Sequence, residues 1–318
     1  MPKKKKVVVI GGGNGSAVTI VALKQNLNRF EISSVVSMSD SGGSSGRLRQ
    51  EFKTLPPGDI MRAILAMSVY DYPMLKDIFY RPRFTGAGKL DSHNLGNLFL
   101  SLSAKYCGNF IYALDALAQS IKAVGKVYPV TLHETDLVAE LTNGDIIHTE
   151  AFIDRPQYNR GLKIKKAWLK PACKIYQPAR QALLKADYII ISPGSLYTSL
   201  VATLLPNGTR EAIKKSKAKI IYVSGNAFHT HGETGPEKLS DFVKQLEHYL
   251  PRPVDLTLYN KHRLNPRQRQ RYNHRHWAEI EMDTKNLPKG KVLGYDYEKD
   301  KGGLCALRLG EILKKVLN

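Results

Sequence analysis

Four β-branched residues, Val7, Val8, Val9 and Ile10, run straight into Gly11-Gly12-Gly13-Asn14-Gly15-Ser16. A short apolar run that stops at glycine reads as a buried parallel strand feeding a tight turn. Apolar residues then recur at helical spacing over 16–27, and a second strand, 32–38, ends just before Asp40. Strand, helix and strand in so few residues make a βαβ unit, which predicts an α/β fold with a mostly parallel, Rossmann-like sheet. Glycines in such a turn let backbone N–H groups approach a phosphate with no Cβ in the way, and the following helix adds the positive end of its dipole. As a dinucleotide fingerprint the turn is partial. Gly11 and Gly13 match, the third glycine is Ser16, and Asp40 stands where a ribose-binding acid belongs. On this turn alone, an NAD-like dinucleotide and a dehydrogenase remain open.

Beyond that unit, 59–125 reads mostly helical, with the period carried by 60–69, 95–106 and 110–124 and a loop at 81–91. At Val127 the period changes. Residues 127–132, 137–141 and 146–149 read as strands, and Asn143-Gly144-Asp145 suits a hairpin turn. Residues 127–170 are therefore expected to form a β-rich insertion. The frame returns with strands at 188–191, 220–223 and 254–259, each after a helical pattern. With no repeat and no linker composition, 1–318 reads as one composite domain with a short basic tail at 1–6.

A second loop is richer than a plain dehydrogenase needs: Ser39-Asp40-Ser41-Gly42-Gly43-Ser44-Ser45-Gly46-Arg47-Leu48-Arg49. Its glycines, serines and two guanidinium groups suit an anion. Asp59, after Leu55-Pro56-Pro57-Gly58, either caps the helix that follows or faces a ligand as an acceptor, base or metal ligand. His93-Asn94-Leu95-Gly96-Asn97 opens another helix. Asn94 and Asn97 suit ribose or base edges, or else a cap and a buried amide. Ser192-Pro193-Gly194-Ser195-Leu196-Tyr197-Thr198-Ser199 is a third strand-to-helix turn with N–H groups for a phosphate. Further on, His229, His231 and Glu233 are read either as loop residues or as metal ligands.

Charge bounds the partners. Lysine and arginine total 48 against 28 acidic residues, a formal charge of +20. Such an excess favours phosphates, nucleotides, nucleic acid or an anionic surface. Lys261, Arg263, Arg267, Arg269, Arg271 and Arg275, interleaved with Tyr272 and Trp277, suit either a nucleic-acid face or a solvated basic helix. The second fits better, because no nucleic-acid module accompanies them. The three cysteines, Cys107, Cys173 and Cys305, are widely spaced, which implies neither a disulfide framework nor a zinc site. No apolar run approaches the ~18 residues of a membrane span or forms a signal peptide, so a cytoplasmic location is expected.

Six segments, taken together and in order, resemble the CofD/YvcK family. The family pattern runs GGGTG, DDGGSSGRLR, LPPGD, HNLGNL, GPGSLYTS and N-x-x-T-Q-x-G-E-T. It meets this chain at 11–15, 40–49, 55–59, 93–98, 192–199 and 226–234, and the resemblance spans about 7–254. It implies a Rossmann-like α/β sheet with added helices and strands. It also implies a homo-oligomer, and one of two activities. YvcK-like members bind nucleotide diphosphate compounds such as UDP-sugars, UDP-GlcNAc among them, and affect carbon metabolism, cell-wall synthesis and cell shape, with a protein partner in cell-wall regulation. CofD-like members transfer a 2-phospholactyl group from a guanosine diphosphate donor to a deazaflavin, with magnesium. GGSSGRLR and PGSLYTS favour the YvcK branch.

Carried onto this chain, the resemblance implies three groups of nucleotide contacts. Gly11, Gly12, Gly13, Asn14, Gly15, Pro193, Gly194, Ser195, Tyr197 and Thr198 would hold the diphosphate. Gly42, Gly43, Ser44, Ser45 and Arg47 would form a second anion surface. Asn94 and Asn97 would meet the ribose or base, with His93 and Asn226 as further nucleotide contacts. Asp40 and Asp59 would hold a hydroxyl or magnesium, and Asp59 would be catalytic only in a transferase. The chain departs from the pattern at Asn14, at Ser41 in place of the second aspartate, within 226–234, where only Asn226 and Gly232-Glu233-Thr234 are kept, and after Gly302-Gly303, where the family's Arg-His-Asp is missing. The first acidic departure weakens a two-carboxylate magnesium site, and the last puts a C-terminal ligand contact in doubt.

Overall fold

The structure, a computed structural model, describes residues 3–317, so Met1 and Pro2 of the expected tail lie outside it. β1 (Lys5–Ile10), α1 (Gly13–Lys24) and β2 (Phe30–Val36) form the expected βαβ unit. Next come α2 (Gly43–Phe52), α3 (Gly58–Met67), α4 (Tyr72–Phe79), α5 (Leu95–Cys107), α6 (Phe110–Ser120) and β3 (Lys126–Pro129). β4 (Asp136–Leu141), β5 (Ile146–His148), α7 (Glu150–Asp154), β6 (Ile164–Lys170), α8 (Gln177–Leu184) and β7 (Tyr188–Ile191) follow. A π-helical turn at Leu196–Val201 runs on into α9 (Ala202–Leu204), then α10 (Thr209–Lys215), β8 (Lys219–Val223) and β9 (Ala227–His229). The chain finishes with α11 (Leu239–Tyr249), β10 (Leu256–Asn260), α12 (Pro266–His274), β11 (Trp277–Glu279), β12 (Val292–Tyr295) and α13 (Ala306–Val316).

Among the described residues, seven strands form one parallel sheet in the order β12-β10-β8-β7-β1-β2-β3. Helices cover both faces, so the central strands are apolar throughout: Val7, Val9, Ile10, Ile189, Ile190 and Ile191 are fully buried. α1 packs against α3 and α13. From β1 the chain moves outward to β2 and β3, then returns to the other side of β1 with β7 and continues through β8, β10 and β12. The strand order thus reverses between β1 and β7. Two adjacent strands whose connections leave in opposite directions open a crevice beyond their C-terminal ends.

Three expectations change. The strand at 127–132 does not belong to the insertion: β3 pairs in parallel with β2 at the edge of the main sheet. A four-residue run carries no information about which sheet it joins. The insertion proper is the antiparallel sheet β5-β4-β6, with its hairpin at 143–145 as expected. Lys5 and Lys6 belong to β1, not to a tail. The Gly/Ser loop after β2 becomes α2 from Gly43 onward.

Candidate functional site

The crevice between β1 and β7 is a cleft of about 1020 Å³. α1 enters it with Gly12 at its N-cap, and among the described residues no side chain caps its first N–H groups. Gly12, Gly13, Asn14 and Gly15 line the cleft. Two of these glycines sit in close approach, and against the backbone at Gly15 only glycine fits. A Cβ on Gly12 would run into the Asp59 carboxylate, and one on Gly15 into the Pro193 carbonyl. Gly11 lies behind them against Ser192 and does not reach the cleft.

The second strand end adds another helix start. α2 has Gly42 at its N-cap, again with no side-chain cap among the described residues. Gly42, Gly43, Ser44 and Ser45 line the cleft. Arg47 does not: its guanidinium donates to the Asp91 carbonyl, beside a neighbouring shallower pocket. Asp40 accepts from the Gly42 N–H at 3.0 Å. Burial, and after it the charge of Asp59, pushes its pKa up to about 6. Ser41, where the family pattern has an aspartate, ties this turn to α7. Its N–H donates to Glu150 at 3.1 Å, and its hydroxyl accepts from the Ala151 N–H at 2.9 Å. That bond brings a third carboxylate to the cleft. Burial, then the charge of Asp40, pushes Glu150 up to about 9.

Asp59 is not a cap. α3 starts after Pro57, and Asp59 stands in its first turn, ion-paired with Arg62. Its carboxylate lies over Gly12, at the start of α1. The Arg62 guanidinium sits 5.1 Å from the Tyr80 ring, and its Nε is buried without an acceptor among the described residues.

The amides divide. Asn94 caps α5 by accepting from the Asn97 N–H at 2.8 Å, and it does not line the cleft. His93 is buried behind the cleft as well. Asn97 does line it. Its Nδ2 donates to Ser44 Oγ at 2.9 Å, and that hydroxyl lies 2.8 Å from His93 Nδ1. Burial lowers the pKa of His93. Asn97 Oδ1 is buried with no partner among the described residues.

The third turn departs most from expectation. Pro193, Gly194, Ser195 and Thr198 line the cleft, but Tyr197 is buried, its hydroxyl donating to the Ile164 carbonyl at 3.0 Å. The N–H groups expected to hold phosphate already have an anion. Tyr197 N–H donates to both Glu233 oxygens at 3.1 Å, and Thr198 N–H to one of them at 3.0 Å. Burial pushes Glu233 up to about 7, against the pull of those N–H groups. The same placement removes Glu233 from His229 and His231. Among the described residues, no three His, Cys, Asp or Glu side chains group as a metal site.

The motifs reached the far wall only at Asn226 and the Gly302-Gly303 pair. Asn226, Tyr272, Arg275, Trp277, Lys299 and Gly303 line it. Arg275 stacks 5.0 Å from the Trp277 ring, so one residue of the basic segment faces the cleft. Arg267, Arg269 and Arg271 are exposed and lie outside it. Tyr272 is only 2% exposed, which removes it from any stacking face. For the rest of this wall the signal was the Tyr272/Trp277 interleaving, read there for a different partner.

Comparison with known proteins matches residues 7–296 to the family described as 2-phospho-L-lactate transferase CofD. The chain belongs to the CofD family. The match runs past the expected limit at 254, so β10 and β12 are part of the family fold. A putative gluconeogenesis factor of Thermotoga maritima is 38% identical over 269 residues, 85% of this chain and 83% of that protein. A gluconeogenesis factor of Bacillus subtilis is 33% identical over 272 residues, 85% and 83% of the two chains. The crystal structure of a Bacillus halodurans protein superposes with a TM-score of 0.88 at 31% identity, covering 99% of this chain and 100% of that one. Gly303 of the far wall, and Glu298 buried behind that wall, lie beyond the CofD match. No helix of the described residues is long and apolar enough to cross a membrane.

Proposed function

We propose that this CofD-family chain binds a nucleotide diphosphate compound of the UDP-sugar class and serves a regulatory role, as a gluconeogenesis factor of the YvcK type. One observation carries the reading: α1 and α2, which follow consecutive strands, both begin at the cleft with a glycine N-cap, and among the described residues no side chain accepts from the N–H groups of their first helical residues. Uncapped helix starts hold unsatisfied N–H groups and partial positive charge, and two of them suit two phosphates. The unpartnered Nε of Arg62 adds a donor, and Asn97 Oδ1 adds an acceptor for a ribose or sugar hydroxyl. The family resemblance supplies the nucleotide class, and the relatives' names supply the regulatory role. The same resemblance is what supports a cytoplasmic setting, a homo-oligomer and a protein partner.

A second reading, a CofD-like transferase, is favoured by the three carboxylates Asp40, Asp59 and Glu150 at the cleft. Asp59 would then orient the acceptor. Asp40 and Asp59 are hard oxygen donors close enough to raise the pKa of Asp40, and magnesium takes one or two carboxylates together with substrate phosphate and water. They fit that ion, which would neutralise diphosphate charge when bound.

Thermal shift over UDP-, GDP- and adenine-dinucleotide compounds tests the first reading. A UDP-sugar at ~100 times its dissociation constant should add ~2.7 kcal/mol of stability. No shift with any nucleotide diphosphate at millimolar concentration removes it. Turnover of a guanosine diphosphate donor would select the transferase.

A further inference from the structure

We propose that Glu298 is the positioning residue for ligand recognition: by holding the amide nitrogen of Asn226, it leaves the amide oxygen as the acceptor the ligand meets. This deepens the nucleotide reading and rests on it.

Glu298 is 0% exposed, yet it is an acid on a short segment between β12 and α13. Its carboxylate gathers donors from four separate places. Oε1 accepts from the Tyr272 hydroxyl at 2.8 Å and from the Gly303 N–H. Oε2 accepts from Asn260 Nδ2 at 2.9 Å and from Asn226 Nδ2. Three of these donors, on Tyr272, Gly303 and Asn226, belong to residues that line the far wall. The segment carrying Glu298 is itself pinned: the Glu298 N–H donates to Asp296 at 3.0 Å, and Arg308 donates to the Glu298 carbonyl at 2.5 Å. The C-terminal stretch that has lost the family's basic motif therefore still builds the cleft, through one carboxylate.

The bonding fixes the orientation of each amide. Asn260 cannot turn over, because its Oδ1 already accepts from the His262 N–H at 3.1 Å and the Tyr297 N–H at 3.3 Å. The Gly303 N–H can only donate. Asn226 Oδ1 has no such tie among the described residues, while the amide also reaches the Tyr272 hydroxyl. Its Nδ2 faces Glu298, since an oxygen there would confront a carboxylate oxygen. Its Oδ1 is buried with no partner among the described residues. A buried acceptor without a donor is costly, and a ligand N–H or O–H relieves that cost. Asn226 is thus the member of the hub whose orientation depends on Glu298 and matters to the ligand.

Calorimetry with UDP-N-acetylglucosamine, UDP and GDP tests this in wild type, Glu298→Gln, Asn226→Ala and the double variant. Glutamine presents a donor where the hub needs an acceptor, and Asn226 is the amide free to turn over. Each single change is expected to weaken binding about tenfold or more. The double variant should be within about threefold of Asn226→Ala, because the two residues act as one unit. Losses that multiply, or either single variant binding within about threefold of wild type, overturn the proposal while leaving the nucleotide reading intact. If wild type binds none of the three compounds, the nucleotide reading fails and takes this proposal with it. Circular dichroism melts check folding. Should Glu298→Gln not fold, Glu298→Asp decides. It keeps the charge but draws the acceptor back by one methylene from Asn226 Nδ2, so binding should again fall at least about tenfold, and binding within about threefold of wild type overturns the proposal.

Discussion

Two turns flank the crevice and look alike in sequence. Gly11 to Ser16 follows β1, and Ser192 to Ser199 follows β7. Each is a strand end, a glycine-containing turn and a helical segment. In the fold they differ in kind. The first leaves the start of α1 open to the cleft, while the second has its N–H groups filled by Glu233. A nest of N–H groups is an anion site whether the anion arrives from solvent or from the same chain. The sequence of a turn records the nest and not its occupant. Here the internal occupant fastens the segment from Gly225 to Gly235 across the cleft, so the second turn works as an anchor and the first as the receptor.

The contact between the two turns is the place to break that division. Gly15 abuts the Pro193 carbonyl, a backbone atom that cannot move aside as a side chain would. Gly15→Ala should cost ~1–3 kcal/mol of stability by overpacking. It should also weaken nucleotide binding by more than about 100-fold, because α1 must withdraw from the cleft. Denaturant melts and calorimetry check both. Normal binding in this variant would mean that the first turn is not the receptor.

Asp59 tests the open turn with less disturbance. It is no cap, so Asp59→Asn forfeits only the ion pair with Arg62 and the carboxylate over Gly12. Binding should fall about tenfold, equivalent to ~1.4 kcal/mol. The variant also removes the charge that helps hold Asp40 at about 6, so the pKa of Asp40 should drop. NMR titration of the Asp40 carboxyl reads this directly, and an unmoved pKa would separate the two acids into different sites.

The filled turn is tested by pH. Burial pushes Glu233 up to about 7. A carboxyl with a raised folded pKa holds its proton more tightly folded than unfolded. Between its unfolded value of ~4.3 and about 7, the folded chain binds more protons, so stability falls as pH rises through that window. Each pH unit across it is worth up to ~1.4 kcal/mol. Glu233→Gln removes this titration and leaves that of Asp40 in place. The variant should therefore lose less stability than wild type between about pH 5 and about pH 7, by ~1–2 kcal/mol. Equal losses in urea melts would show that Glu233 stays ionised throughout.

The same contrast explains what was legible in the sequence. The βαβ unit, α3, α5, α6, the hairpin at 143–145 and strands β7, β8 and β10 announce themselves, because periodicity and turn chemistry are local. The Gly/Ser stretch reads as a loop, because three glycines and four serines are poor helix formers; α2 begins within it because its start serves the cleft. β12 and the β9–β11 ribbon are too short to show a period. Glu233 and Glu298 were missed as structural hubs for one reason. Each is a lone acid whose donors come from chain segments far away in sequence, and no spacing rule connects them. Asn97 and Asn226 were visible as amides, but which end of each faces the cleft depends on Ser44 and Glu298.

The smallest expected effect concerns charge. A chain with a net +20 attracts anions everywhere, so nucleotide binding at the open turn needs to be separated from general attraction. Arg267, Arg269 and Arg271 lie on exposed positions of α12, outside the cleft, and Arg269 pairs with Glu279 at 3.4 Å on the surface. Exposed charges act through water and are screened beyond ~8–10 Å at ordinary ionic strength. N–H groups at a helix start act at hydrogen-bond distance and are not screened in that way. Replacing all three arginines with glutamine should therefore change nucleotide affinity by less than about threefold in physiological salt, with a somewhat larger effect in low salt. Arg275, which stacks on Trp277 at the cleft, is left in place as the control within the same segment. A loss beyond about tenfold in the triple variant would show that the basic helix and not the open turn holds the ligand, and the division between receptor and anchor would have to be redrawn around α12.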